Sequence, residues 1–203
     1  MLKPKKVTRG YGLLEEFLAK QRAKMANRLI PFTYRKGRIL DIGCGTYPFA
    51  LLNIEFSKKY GIDKVVQDDY NKRFQHQEIT LINYDIEKEG IIPFGSEYFD
   101  VVIMLAVFEH IEPKRLVKIL RDIYRILRPG GMYIMTTPAP WTDKPLRFMS
   151  KLRLVSPVEI KEHKDAYSHS RISFILQEAG FSKEKLRFGY FEMFMNIWVT
   201  AIK

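Results

Sequence analysis

Cysteine and long apolar runs are scarce in this sequence. Its 203 residues include a single cysteine, Cys44, which excludes an intramolecular disulfide and a cysteine-rich zinc site. The longest uninterrupted apolar run, residues 101–108, is well short of the ~20 residues that a membrane-spanning helix needs. We therefore expect no membrane span and a location in the reducing cytoplasm.

Repeats, linkers and metal-ligand patterns are also missing. We find no internal repeat, no low-complexity tract and no linker rich in Pro, Gly or Ser. The basic residues near the N-terminus are not followed by the apolar core of a secretory signal. The four histidines show no paired ligand spacing beyond a loose His163 and His169, so no metal is predicted. The expected organisation is one domain over residues 1–203, with a tail and a helix in residues 1–35.

Positive charge, in contrast, is plentiful. The 34 Lys and Arg residues exceed the 23 Asp and Glu residues, which gives a formal net charge of +11. Such a balance favours an acidic surface, a phosphate-bearing molecule or a nucleic acid as partner through long-range attraction. A solvated basic surface without a dedicated partner is the alternative interpretation.

Apolar runs and helical periodicities alternate along the chain, an order that predicts a parallel sheet covered by helices on both faces. Ser170 is the expected N-cap of the last helix, and Gly180 its left-handed end. Residues 64–77 predict a weak helix or a loop, and residues 138–169 are irregular. Strands are expected at residues 38–42, 60–63, 79–84, 99–105 and 132–136, and helices at residues 13–30, 48–56, 113–127 and 170–179.

The last two predicted strands, near residues 186–194 and 197–202, are joined so briefly around Met195 and Asn196 that they must form a hairpin. An antiparallel edge would thus be attached to the parallel strands. The predicted fold class is α/β, with a doubly wound seven-stranded sheet that is mostly parallel and has an antiparallel C-terminal hairpin strand.

Three carboxylates follow or end the first three predicted strands: Asp41, Asp63 and Asp85. In a doubly wound sheet they would line one rim, where such sheets bind ligands. Gly43 and Gly45 would let backbone amides approach a ligand closely. Asp63 follows Gly45 by 18 residues (63 − 45), close to the spacing of about 20 for an acid that binds ribose hydroxyls. Asp85 can accept a hydrogen bond from an adenine amine, although a turn or cap role explains it equally well.

Residues 39–46, Ile-Leu-Asp-Ile-Gly-Cys-Gly-Thr, resemble the first motif of the class I S-adenosylmethionine-dependent methyltransferases. The resemblance covers residues 36–203 and is closest to methyltransferase domains of ubiquinone and menaquinone biosynthesis. One departure is Tyr47, followed by Pro48, where a third glycine is often found. Further elements that are similar to the family's, in the same order, are Asp63, Asp85 with Ile86, and residues 93–102, 105–111, 127–131 and 179–181.

This resemblance implies a Rossmann-like fold, S-adenosyl-L-methionine as cofactor, and methyl transfer by in-line displacement. It assigns cofactor binding to Asp41, Gly43, Cys44, Gly45, Asp63, Lys64, Asp85, Ile86 and Leu105. Cys44 is explained as a small packing residue, so it is given no catalytic role.

Glu109 and His110 follow the central strand and would face the transferred methyl group. The ordinary pKa of His110 suits it to take a proton from an acceptor near neutral pH, which makes it the candidate catalytic residue. A purely structural role for the pair is the alternative. Residues His163, Tyr167 and His169 would line an acceptor pocket or simply lie at the surface.

The segments that would select the acceptor are residues 1–30 and residues 138–169, a probable acceptor-site insertion. The second mixes aromatic residues with Lys144, Arg147, Lys151 and Arg153. We expect an apolar pocket with a basic mouth and a small or medium-sized acceptor that carries acidic or phosphate groups. Alternatives are an RNA methyltransferase, since such residues also stack bases and bind phosphates, and a non-catalytic binding module. An NAD(P)-dependent oxidoreductase fits less well because the third glycine is absent.

Overall fold

The computed structural model describes residues 14–66, 73–152, 154–156 and 164–203. Its strands are β1 (Arg38–Ile42), β2 (Lys58–Asp63), β3 (Ile79–Asn83), β4 (Phe99–Leu105), β5 (Leu127–Pro138), β6 (Leu186–Phe191) and β7 (Asn196–Ile202). Its α-helices are α1 (Glu15–Leu29), α2 (Phe49–Asn53), α3 (Pro113–Ile126), α4 (Asp143–Lys151) and α5 (His169–Glu178).

The seven strands form one sheet in the order β3-β2-β1-β4-β5-β7-β6. Strand β7 pairs antiparallel with both β5 and β6, and the other pairings are parallel. The predicted fold class is therefore confirmed. The predicted antiparallel hairpin lies at the β5 end of the sheet, with β7 next to β5 and β6 at the edge. Strand order reverses between β1 and β4, the position where ligands bind in sheets of this kind.

Helices cover both faces of the sheet, which explains why β4 is apolar at successive positions. Val102 and Met104 of β4 pack on one face with apolar residues of α3 and α5. Val101 and Ile103 pack on the other face with residues of α1 and α2. Within the described ranges, no helix combines the length and the apolar composition that a membrane span requires.

Three predicted boundaries are corrected by the structure. The N-cap of α5 is Ser168, whose hydroxyl accepts a hydrogen bond from the Arg171 backbone N–H, and Ser170 lies inside the helix. Strand β5 begins at Leu127, directly after α3. Residues 130–131, which were predicted as a turn before the strand, are part of it. The β6–β7 turn spans residues 192–195 and is longer than predicted.

The segments predicted as irregular (138–169) and as a weak helix or loop (64–77) contain short helices in their described parts. Residues 138–169 contain a 3₁₀ turn, Pro140–Thr142, followed by α4. In residues 64–77 the described part includes a 3₁₀ turn, Gln75–Gln77, and residues 67–72 lie outside the described residues.

Asp100 lies near the start of β4 and links it to β1 and β5, at the end of the sheet opposite the carboxyl ends of the parallel strands. It accepts hydrogen bonds from the Arg38 backbone N–H at 2.7 Å and from Arg128 Nε at 2.6 Å.

We predict that Asp100→Ala lowers the free energy of unfolding by about 2 kcal/mol, because two donors lose a charged acceptor. Urea denaturation measures this change. Glu16→Ala is the control, since the Lys20–Glu16 pair is exposed and such pairs contribute little. Equal losses in both variants would contradict the role of Asp100.

Candidate active site

A cavity of about 420 Å³, here called the rim cavity, opens at the carboxyl ends of β1, β2 and β4. It lies at the point where the strand order reverses. The predicted cofactor residues on its wall are Gly43, Cys44, Gly45, Asp63, Lys64, Asp85, Ile86 and Leu105, and the predicted catalytic residue His110 also lines it. The topology therefore brings together residues from four separate parts of the sequence.

The two glycines of the turn after β1 are required for different reasons. Both have left-handed backbones, with φ of +82° at Gly43 and +67° at Gly45. A Cβ at Gly43 would lie 2.3 Å from a methyl group of Val107, so this residue is needed for packing inside the protein. A Cβ at Gly45 would have no atom within 4 Å and would enter open space. Gly45 thus leaves room for a ligand against the backbone.

Asp63 closes the same turn from the end of β2. Its carboxylate accepts hydrogen bonds from the backbone N–H groups of Gly45 at 3.0 Å and Val65 at 3.2 Å. These two hydrogen bonds fix the orientation of the carboxylate at the wall of the rim cavity.

The position of Asp85 is compatible with both roles considered from the sequence, the cap of a turn and a contact to adenine. One oxygen accepts from the Glu87 backbone N–H at 3.1 Å, which makes Asp85 the cap of a turn. It also lines the rim cavity beside Ile86. The exposed Lys64 directly follows the neighbouring strand β2 and also lines the cavity.

Asp41 is the predicted cofactor residue that does not line the rim cavity. It is 4% exposed and lies within β1, between Gly61 of β2 and Ile103 of β4 in the sheet register. Burial, and secondly the negative charge of Asp63, raise the pKa of Asp41 to about 7.

A second cavity, of about 570 Å³, lies under α1 and is here called the α1 cavity. Its apolar wall comes from the α1 region, from Pro138, α4 and Val155, and from the β6–β7 turn with the residue before it. Sequence reasoning pointed to the first two regions and missed the turn. The apolar lining residues are Leu14, Phe17, Leu18, Met25, Pro138, Leu146, Met149, Val155, Phe191, Met193 and Met195.

Arg22, Ala106 and His110 line both cavities, so they form the junction between them. Ala106 has a left-handed φ of +54°, which is uncommon for a residue with a Cβ. Its N–H is held by the carbonyl and the hydroxyl oxygens of Thr136, at 3.0 and 3.1 Å. Arg22 was missed from the sequence, because nothing local to an amphipathic helix shows which of its arginines faces a distant strand end.

Glu109 is buried beside the junction and lines the α1 cavity. Its carboxylate accepts a hydrogen bond from the Thr137 hydroxyl at 3.1 Å. His110 completes the same 3₁₀ turn, Phe108–His110, and its backbone N–H donates to Val107 at 3.0 Å.

Among the described residues, His76, His169 and Tyr167 do not line either cavity. Tyr167 is fully buried and packs edge-to-face with Phe108, with 4.8 Å between the ring centroids. Burial is the main cause that raises the pKa of Tyr167 to about 12. The predicted choice between pocket and surface is therefore wrong for Tyr167. His169 packs on Phe188 and Tyr190, and His163 lies outside the described residues. Among the described side chains, no group of three potential ligands is placed to hold a metal ion.

Comparison with known proteins identifies the family. A family model described as a methyltransferase domain matches residues 40–135, which include the glycine turn, Asp63, Asp85 and His110. Over these residues the chain is a methyltransferase domain similar to those of the class I S-adenosylmethionine-dependent methyltransferases. The predicted family and its cofactor, S-adenosyl-L-methionine, are confirmed.

Individual relatives within this family differ in what they are named for. A tRNA N(3)-methylcytidine methyltransferase of Drosophila melanogaster is 28% identical over 123 residues, which are 55% of this chain and 38% of that protein. A ubiquinone biosynthesis O-methyltransferase of Coxiella burnetii is 26% identical over 111 residues, 52% of this chain and 45% of that protein. The chain thus spans less than half the length of both relatives.

A crystal structure of an S-adenosylmethionine-dependent methyltransferase from Archaeoglobus fulgidus superposes with a TM-score of 0.67 at 19% identity. The superposition covers 94% of this chain and 97% of that one. The shared fold therefore extends well beyond residues 40–135, the part that the family model matches.

The raised pKa of Asp41 predicts a pH-dependent cost to folding. Between its ordinary pKa of 3.8 and about 7, the unfolded chain releases this proton while the folded protein keeps it. The contribution of Asp41 to the free energy of unfolding therefore falls as pH rises through this window and stays low above it. Asp41→Asn removes the titrating group, so its stability relative to wild type should rise between pH 4.5 and pH 8 by up to roughly 3 kcal/mol. Urea denaturation at the two pH values measures this, and parallel pH profiles would contradict it.

Proposed function

We propose that this protein transfers a methyl group from S-adenosyl-L-methionine in the rim cavity to an acceptor in the α1 cavity. The observation that carries the proposal is the junction, where Arg22, Ala106 and His110 border both cavities. A donor and an acceptor bound on either side would meet there.

The rim cavity suits the cofactor on the chemistry of its donors and acceptors. In this proposal Asp63 accepts from the ribose hydroxyls and Asp85 from the adenine amine, which is supported by the position of both residues on the cavity wall. Ile86 and Leu105 supply apolar walls for the base. Gly45 leaves the space in which a Cβ would otherwise stand. Arg22 is a cation at the junction end, where a carboxylate of the amino-acid part can pair with it.

The cofactor, when bound, supplies a methyl group that is already activated by the positive sulfonium. The protein's own residues then need to position the acceptor and exclude water. Holding two reactants in line recovers roughly 7–11 kcal/mol of barrier, more than a general base typically adds. Ala106 borders the junction and Glu109 is buried beside it, which supports exclusion of water there. His110 is the residue proposed to take a proton where the acceptor loses one.

The α1 cavity supports a small or medium-sized acceptor that has an apolar body and an acidic group. Its wall is mostly apolar, and α1 adds three basic residues, Arg22, Lys24 and Arg28. A carboxylate or phosphate on the acceptor would pair with these bases. In this proposal α4 and the residues around it form the acceptor-site insertion.

RNA is the second candidate acceptor. Two observations favour it, the net charge of +11 and the relative named as a tRNA methyltransferase, matched over 55% of this chain. RNA binding through several phosphates would weaken steeply with salt, with a slope of about 0.7 per phosphate on a logarithmic scale for single strands. A compact anion would show a shallow slope.

Cofactor binding tests the role of Asp63. Asp63→Ala should weaken S-adenosyl-L-methionine binding by at least about tenfold, since it removes charge-assisted hydrogen bonds to the ribose. Calorimetry measures the affinity. Asp63→Asn should lose less, because the amide oxygen can still accept from Gly45. Asp165→Ala, at an acid outside both cavities that pairs with Arg171, is the control. Unchanged affinity in Asp63→Ala would remove the ribose assignment.

Methyl transfer itself is tested with cofactor labelled on its methyl group and a fractionated cell extract. Parallel samples are treated with nuclease and with protease before the reaction. Label in small molecules that resist both treatments is the expected result. Label confined to nuclease-sensitive material would select RNA instead. Cofactor binding with no labelled product in any fraction would favour a non-catalytic module.

A further inference from the structure

The turn between β6 and β7 has an unusual backbone. Glu192, Met193 and Phe194 all have left-handed φ values, of 51°, 55° and 66°, and none is a glycine. Side chains rarely adopt this conformation, and such residues persist where surrounding contacts hold them. A turn that needed only to connect two strands would use Gly or Asn at these positions.

Contacts with the segment after β5 hold the turn in place. The Met195 carbonyl accepts from the Ala139 backbone N–H at 2.8 Å. The Phe194 carbonyl accepts from the indole N–H of Trp141 at 3.2 Å. These bonds fix the position of Glu192, the first residue of the turn, against the α1 cavity.

The Glu192 carboxylate is only half satisfied. One oxygen accepts a hydrogen bond from the Asn196 side-chain amide. The other, Oε1, is buried and has no donor among the described residues. A buried acceptor without a donor is destabilising and rare, so its retention calls for an explanation.

The charges near the junction limit which chemical groups could donate a hydrogen bond to Glu192 Oε1. The guanidinium of Arg22 is near enough to act on Glu192 and to offset part of the rise that burial causes in its pKa. The other two carboxylates on the cavity wall already have donors, Ser156 N–H for Glu15 and the Thr137 hydroxyl for Glu109. An ammonium group beside Glu192 would face the like charge of Arg22, whereas a neutral hydroxyl would not.

We propose that Glu192 Oε1 accepts a hydrogen bond from a hydroxyl group of the methyl acceptor. Glu192 is then a specificity-determining residue, and the acceptor belongs to the class of hydroxylated molecules with an apolar body. This inference rests on the proposed methyl transfer and adds the chemical group that the α1 cavity selects.

The first test compares Glu192→Ala, Glu192→Gln and the control Glu184→Gln, at an exposed glutamate just before β6. The probe is the small-molecule fraction of a cell extract, treated with nuclease and protease, with labelled S-adenosyl-L-methionine. Glu192→Ala should lower the initial transfer rate at limiting extract by at least about tenfold, the effect of one hydrogen bond to a charged acceptor. Glu192→Gln, which keeps an accepting oxygen, should recover part of that rate.

Cofactor affinity separates this role from a structural one. Glu192 does not line the rim cavity, so calorimetry should give the same affinity for S-adenosyl-L-methionine in all four proteins. Wild-type rates in both Glu192 variants would overturn the inference while leaving the proposed function intact. Loss of cofactor affinity in Glu192→Ala and Glu192→Gln together would show a structural role and also overturn it. No transfer by the wild type would instead overturn the proposed function.

Chemical blocking of the same extract fraction tests the hydroxyl group itself. Acetylation caps hydroxyl and amine groups, and hydroxylamine then cleaves the O-acetyl esters but leaves the N-acetyl amides. We expect transfer to disappear after acetylation and to return after hydroxylamine. Transfer that survives acetylation, or that does not return after hydroxylamine, would overturn a hydroxylated acceptor.

Discussion

The geometry of the rim cavity depends on one hydrogen bond, from the Gly45 N–H to the Asp63 carboxylate. Gly43 N–H first bonds to the Ile62 carbonyl at 2.8 Å, extending the β1–β2 pairing beyond the strand. The chain then turns back through two left-handed glycines and meets the Asp63 carboxylate at 3.0 Å. One contact therefore sets the path of the turn and the orientation of the acid. Both must be fixed before a ligand can bridge the ends of the two strands.

The α1 cavity depends on a different set of contacts, which join distant parts of the chain. Glu15, at the start of α1, accepts from the Ser156 backbone N–H at 2.8 Å, and Leu14 N–H donates to Leu154 at 2.9 Å. These bonds seat α1 over the sheet next to the segment after α4. Most of the α1 cavity wall lies outside residues 40–135, the part matched by the family model. Acceptor selection can thus change while the cofactor-binding core stays the same.

The parts of this architecture that could be predicted from sequence are those set by local chemistry. Strands β1 and β4 were predicted with the observed bounds, since each is an apolar run that ends at a glycine turn or a helix start. The position of Ser168 as a cap was missed because Ser168 and Ser170 have the same capping chemistry two residues apart. Arg22 and Glu192 were missed for another reason. Their placement at the junction depends on long-range packing of α1 and the hairpin, which no local pattern encodes.

The distribution of charge gives the protein two electrostatic regions. Among the described residues, the buried side chains that carry a carboxylate are Glu15, Asp41, Asp63 and Glu109, whereas no described lysine or arginine is buried. Basic surfaces attract anionic molecules over long range, whereas buried acids act at close range in a medium of low dielectric. Under the proposed function, the basic residues at the surface would attract an anionic acceptor, and the buried Glu109 beside the junction would favour a positively charged group bound there.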